Sequence, residues 1–196
     1  MWETKRNINE DLLAIYSYGS RVYGTATEDS DYDYMAVADS DDIELDYTFE
    51  QDDVSIHVVS EPLFIKKIKE CHISYLECIF QKEDSKYREH FELNLEALRR
   101  NISGISSNSF VKCKKKLAIG EDYIGKKSMF HSIRILMFGI QIAKHGRIVD
   151  YGCANHYLGT VMAMKDWNTI KLFFQPIYNS LKSEFKLLAP LDTDKE

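Results

Sequence analysis

Two periodicities divide this chain. Before residue 60, short apolar runs and alternation of apolar with polar positions predict strands, and after it apolar positions recur every three to four residues and predict helices. Leu12-Leu-Ala-Ile-Tyr-Ser-Tyr18 is apolar and ends at Gly19, the pattern of a buried first strand. Tyr32 to Ala38 is a second. Ile43, Leu45, Tyr47 and Phe49 alternate with Glu44, Asp46, Thr48 and Glu50, which predicts a half-exposed third strand. Val54 to Val59 is a fourth, with Val54, Ile56 and Val58 on one face and Asp53, Ser55 and His57 on the other. The polar residues 3–10 are expected to form a short helical lead-in.

Ser60-Glu61-Pro62 is a helix start, a serine cap with proline in the first turn, and Leu63, Phe64, Ile65 and Ile68 supply the apolar side. Ile73 to Phe80 and Lys86 to Arg100 predict two further helices. Asn101-Ile-Ser-Gly-Ile-Ser-Ser-Asn108 is rich in serine and turn formers, so it marks the expected boundary between domains at residues 1–100 and 101–196. A basic helix from Phe110 to Ile119, a long one from about Lys126 to His145, a turn near Gly146 and two more helices to about Leu188 follow. The expected fold class is α/β (α+β), a sheet-bearing core followed by a helical C-terminal domain.

Composition changes this picture little. With 196 residues, 44% hydrophobic and 29% charged, the chain suits one full core or a compact domain with a helical extension. The four cysteines form no C-x-x-C pair, and Cys71 and Cys78, seven apart, are expected on one buried helix face. This suits a reducing, cytoplasmic setting. The N-terminal Met-Trp-Glu-Thr-Lys-Arg-Asn carries no apolar signal region, and no window approaches 18 uncharged apolar residues, so neither secretion nor a membrane span is expected.

Charge changes it more. Residues 1–98 hold nine Lys and Arg against 23 Asp and Glu, a net −14, whereas residues 99–196 hold sixteen against eight, a net +8. An acidic half could hold metal ions and a basic half phosphates, or the two could be complementary surfaces that pack or solvate.

The candidate chemistry lies between the first two strands. Gly19-Ser20 and the pair Asp31/Asp33 are separated by ten residues, Arg21 to Ser30. Backbone N–H groups at a glycine turn entering a helix can cradle a phosphate, and Ser20 is the expected cap of that helical turn, with Gly24 ending it. Arg21 can reach a phosphate or pair with a local carboxylate. Two aspartates at i and i+2 of a strand share a face and can clamp a hard cation such as Mg²⁺ or Mn²⁺. Strand parity makes Asp53 the candidate third carboxylate, with Asp52 the competitor.

The motif Gly-Ser-Arg-Val-Tyr-Gly-Thr-Ala-Thr-Glu-Asp-Ser-Asp-Tyr-Asp resembles the G-S-x10-D-x-D signature of the DNA polymerase β-like nucleotidyltransferases, in particular the minimal members of phages and bacteria. Arg21, Tyr23, Gly24 and Ser30 match recurrent motif positions of that group. Asp53-Val-Ser-Ile-His57 and Tyr75-Leu-Glu-Cys-Ile-Phe80 resemble its third-strand aspartate and its downstream helix, which carries Glu77. The resemblance covers about residues 12–80 and implies a mixed sheet, metal-binding acids at Asp31, Asp33 and Asp53, Mg²⁺ (or Mn²⁺) and an NTP donor, most simply ATP. It leaves the acceptor open: an RNA end, a protein hydroxyl or a small molecule. It also admits a non-catalytic, nucleotide-binding regulatory or antitoxin-like protein.

In the basic half, Lys127, His131 and Arg134 fall at i, i+4 and i+7, one face of a helix. Lys127 and Arg134 could hold a triphosphate tail, or Lys127 could be solvated surface and His131 a packing residue. The run Lys112, Lys114, Lys115 and Lys116 could meet RNA phosphates or simply be a solvated face.

Overall fold

A computed structural model of the chain describes residues 8–191. Most of the expected helical lead-in, residues 3–7, lies outside the described residues, and residues 8–10 are not helical.

The strand patterns form four strands among the described residues: β1 (Leu12–Tyr18), β2 (Tyr32–Ala38), β3 (Asp46–Gln51) and β4 (Val54–Ser60). They make one mixed sheet of order β1-β2-β4-β3, in which β2 and β4 are parallel and the outer pairings antiparallel. The first strand is therefore an edge rather than a buried strand, and Leu13 and Ile15 are exposed. β3 starts at Asp46 instead of Ile43, because Asp42 turns the chain first. Its side chain accepts from Glu44 N–H at 3.0 Å and its carbonyl from Leu45 N–H at 3.0 Å.

Strand alternation buries Ala36, Ala38, Ile56 and Val58 with Ile8 on one face of the sheet. On the other face Met35, Val37 and Val59 are buried; a one-turn helix α1 (Ser20–Tyr23) follows β1, α2 (Glu61–Lys69) follows β4, and α3 (Ile73–Ile79) follows α2. Phe64 of α2 stacks on Tyr16 at 5.7 Å and meets Tyr75 and Tyr87 edge-on or tilted. Cys71 and Cys78 are both buried but do not share a helix: Cys71 sits at φ 54° in the connection ahead of α3.

The described residues form two compact units, one of residues 8–69 and 74–92, the other of residues 70–73 and 93–191. The expected helix at 86–100 is two elements, a 3-10 turn at Lys86–His90 and α4 (Leu95–Ala118), whose cap is the Asn94 side chain accepting from Ala97 N–H at 2.9 Å. Residues 101–108 are not a linker but the interior of α4. Their small side chains suit close helix packing. Buried Ser106 bonds back to Ser103 O, and Ser132 of α5 (Asp122–His145) donates to Ser106 O at 2.9 Å. A Cβ on Gly139 of α5 would fall 2.8 Å from Ile102. The unit closes with α6 (Leu158–Ala163) and α7 (Trp167–Leu188). No helix among the described residues is long and apolar enough to cross a membrane.

Candidate active site

The parallel ladder sets the acidic end of the sheet. Tyr32 pairs with Val54 and Asp33 with Ser55, so Asp31 and Asp53 stand side by side just ahead of the first pair. Tyr32 N–H donates to Asp53 O at 2.7 Å and joins the two strand starts. With Tyr34, Ala36, Ile56 and Val58 on the core face, alternation directs Asp33 and Ser55 to the opposite one, and Asp31 lies just ahead of the strand. Asp33 is half-buried and Asp31 exposed.

The glycine turn closes onto this end. Tyr18, last residue of β1, pairs with Asp33, and Gly19 follows at φ 80° and ψ −156°, backbone that only glycine adopts without strain. A Cβ at Gly19 would lie 2.3 Å from Asp33 Oδ2. The glycine is thus required twice, by its own dihedrals and by the carboxylate lying against it. Burial first, and then the charge of Asp33, pushes the Tyr18 phenol up to about 12, so it stays a neutral hydroxyl at this wall.

The cap is Gly19 rather than Ser20. Val22 N–H and Tyr23 N–H donate to Gly19 O at 3.1 and 3.2 Å, and Gly24 at φ 73° ends the turn with Thr25 N–H on Ser20 O at 2.9 Å. A four-residue helix has almost no macrodipole, so any phosphate grip here comes from individual N–H and hydroxyl groups.

Arg21 and Ser30 are engaged with the loop between these elements. Arg21 donates from Nη2 to Ser30 O at 2.5 Å and from Nε to Asp31 O at 3.3 Å, and its guanidinium lies 3.6 Å from the Tyr32 ring centroid. The Ser30 hydroxyl accepts from Thr27 N–H at 2.9 Å and lies 3.2 Å from Thr27 Oγ1. Below the turn, buried Tyr23 donates to buried Glu77 of α3, and Gln81 donates to Ser17 O at 2.6 Å. Tyr18, Thr27, Tyr32 and Gln81 did not stand out in the sequence. The T-x-x-S spacing of Thr27 and Ser30 could have been recognised as a local turn lock, whereas Tyr18 and Tyr32 matter through strand pairing and the Arg21 contact, and Gln81 through a bond to β1 from far along the chain.

Asp53 is exposed in the tight β3–β4 turn beside Asp52, which takes φ 51°. Among the described residues no group of three His, Cys, Asp or Glu side chains is gathered to hold a metal ion, so Asp31, Asp33 and Asp53 are neighbours in register but not a formed cage. Two carboxylates still fit Mg²⁺, which binds through one or two protein acids and takes its other ligands from phosphates and water.

In the helical unit, Lys127 is exposed and lies 5.2 Å over the Tyr123 ring. Arg134 is only 6% exposed, packed over Phe130 and Phe138, and donates to His131 Nδ1 at 2.7 Å. Burial, then the Arg134 and Lys112 charges, lowers His131 to about 3. The three residues do follow one helical stripe, but it leads from surface into core. Lys112, Lys114 and Lys115 are exposed, and Lys116 pairs with Glu121 at 2.7 Å.

Residues 3–96 match the family model described as the nucleotidyltransferase domain. None of the curated proteins matches the chain. A solved nucleotidyltransferase-like protein from Exiguobacterium sibiricum 255-15 is 12% identical over 96% of this chain and 74% of that chain, with a TM-score of 0.37, too distant a likeness to carry an argument.

Proposed function

From the premise that residues 3–96 are a nucleotidyltransferase domain of the polymerase β-like superfamily, we propose that the chain transfers a nucleoside monophosphate, most simply AMP from ATP, to an acceptor hydroxyl. The acceptor oxygen bonds to the α-phosphorus, the bond from that phosphorus to the bridging oxygen breaks, and pyrophosphate leaves. The observation that carries this reading is the Asp33 carboxylate lying against Gly19, which puts the acidic strand end and the glycine turn in one place.

Asp31 and Asp33 would hold Mg²⁺ or Mn²⁺, which when bound screens the phosphate charge and orients the donor. Gly19 and Ser20 take the triphosphate through the Ser20 hydroxyl and nearby N–H groups. The restriction to glycine lets the Asp33 carboxylate lie directly against this turn. Ser30 supports the loop that carries Asp31. Asp53, beside Asp31 in register, accepts the proton of the acceptor hydroxyl. Lys127 has the exposure a phosphate contact needs, and the burial of Arg134 favours a packing role over the phosphate contact its charge suggested. An RNA end or a protein hydroxyl is the acceptor class we favour. The four cysteines, with no C-x-x-C pair among them, suit a reducing cytoplasm.

The test is incubation with each α-labelled NTP and Mg²⁺ or Mn²⁺, with the protein itself, total RNA and cell extract as acceptors. Label in one acceptor with matching pyrophosphate release supports the proposal. Nucleotide binding without label transfer would give the alternative, a regulatory or antitoxin-like binding protein.

A further inference from the structure

We propose that Arg21 is a positioning residue for the carboxylate of Asp31, acting through the loop backbone and not on the nucleotide; this rests on the nucleotidyltransferase reading above. The two candidate metal acids are held by different means. Asp33 lies within the ladder, paired to Tyr18 on one side and Ser55 on the other. Asp31 precedes the first ladder pair, at the end of a loop running from Gly24 with no regular structure of its own. The Thr27–Ser30 bonds tighten that loop from within. Arg21 ties it to α1: its guanidinium holds the carbonyls of Ser30 and Asp31 and covers the ring of Tyr32, three consecutive residues centred on Asp31.

The chemistry of the side chain suits this use. Nε and Nη2 form an edge able to grip a phosphate bidentately, and here that edge is taken up by two carbonyl oxygens while the planar face stacks on an aromatic ring. Lysine has the charge without the fork or the face. Supporting groups around metal ligands typically matter by about 10- to 100-fold in metal affinity or activity.

The experiment compares wild type with Arg21→Ala, Arg21→Lys, Tyr32→Ser and Tyr32→Phe. Mn²⁺ is titrated into each protein and followed by loss of the free-ion EPR signal, and kcat and the NTP KM are measured separately. Both Arg21 variants should weaken Mn²⁺ binding about tenfold or more and lower kcat about 10- to 100-fold, with the NTP KM little changed. Tyr32→Ser should lie between them and wild type, and Tyr32→Phe should match wild type. A raised NTP KM at unchanged kcat and Mn²⁺ affinity, or an Arg21→Lys protein equal to wild type, would make Arg21 a direct phosphate ligand and overturn the inference. So would wild-type protein that binds no Mn²⁺. Wild-type protein that binds Mn²⁺ but transfers no label sinks the proposed activity instead, and the Mn²⁺ affinities of the variants still decide the role of Arg21.

Discussion

The sheet-bearing unit and the helical unit use polar residues in opposite ways. In the first, polar side chains grip backbone to shape an exposed acidic end: within the Gly19–Asp33 stretch Arg21 takes two carbonyls and Ser30 an N–H, and beneath it Gln81 takes the carbonyl of Ser17. In the second, polar and small residues serve helix packing: Ser106 and Ser132 bond at a close helix approach, Gly139 admits Ile102, and Arg134 is sunk among aromatic rings beside His131. A polar residue inside a helix stripe is thus weaker evidence of a site than one in a loop between strands, where nothing in the packing requires it. The opposite net charges of the two halves fit this contrast only partly, since part of the positive half's charge, Arg99 and Arg134, is buried.

Gly19→Ala should expose the contrast most sharply. The new Cβ would meet Asp33 Oδ2 at 2.3 Å in left-handed backbone, so the carboxylate must move. A misplaced metal ligand forfeits about 3 kcal/mol of transition-state stabilisation, and labelled transfer should drop about 100-fold or more while far-UV dichroism is unchanged. Gly139→Ala makes the mirror-image test. Its Cβ would lie 2.8 Å from Ile102, and the overpacking cost of about 1–3 kcal/mol should exceed the helix-propensity gain of about 1 kcal/mol. The urea midpoint should fall and specific transfer by the folded protein should not.

A smaller effect is the pH dependence of His131. Its folded pKa of about 3 lies below the unfolded value of about 6.5, so between those values the unfolded chain binds the extra proton. Its contribution is therefore full above pH ~6.5 and is lost as pH falls towards ~3, with a slope of up to about 1.4 kcal/mol per pH unit. Denaturant titrations at pH 7, 6 and 5 should show this loss, and His131→Asn should flatten it relative to wild type.

Much of the acidic end was legible in the sequence because each signal there is local. β1 and β2 match their apolar runs residue for residue, and the glycine turn announced itself. Tertiary effects hid the rest. Neighbour pairing makes β1 an edge strand, which its apolar composition concealed. The serines of residues 101–108 read as a turn because their helix-packing purpose exists only against α5. Charge and spacing put Lys127 and Arg134 on one stripe, yet only packing reveals that Arg134 faces aromatic rings. The Arg21 clamp left no mark in the sequence, since its partners are backbone carbonyls that no side-chain pattern encodes.

The most direct test of the central claim is labelled nucleotide transfer by Asp33→Asn set beside Lys127→Ala. Asn is nearly isosteric with Asp and leaves the Gly19 contact in place, so only charge is removed. Loss of transfer by about 1000-fold in Asp33→Asn, with Lys127→Ala changed by less than about tenfold, is the predicted result. Transfer that survives in Asp33→Asn at the wild-type rate would contradict an active site at this end of the sheet.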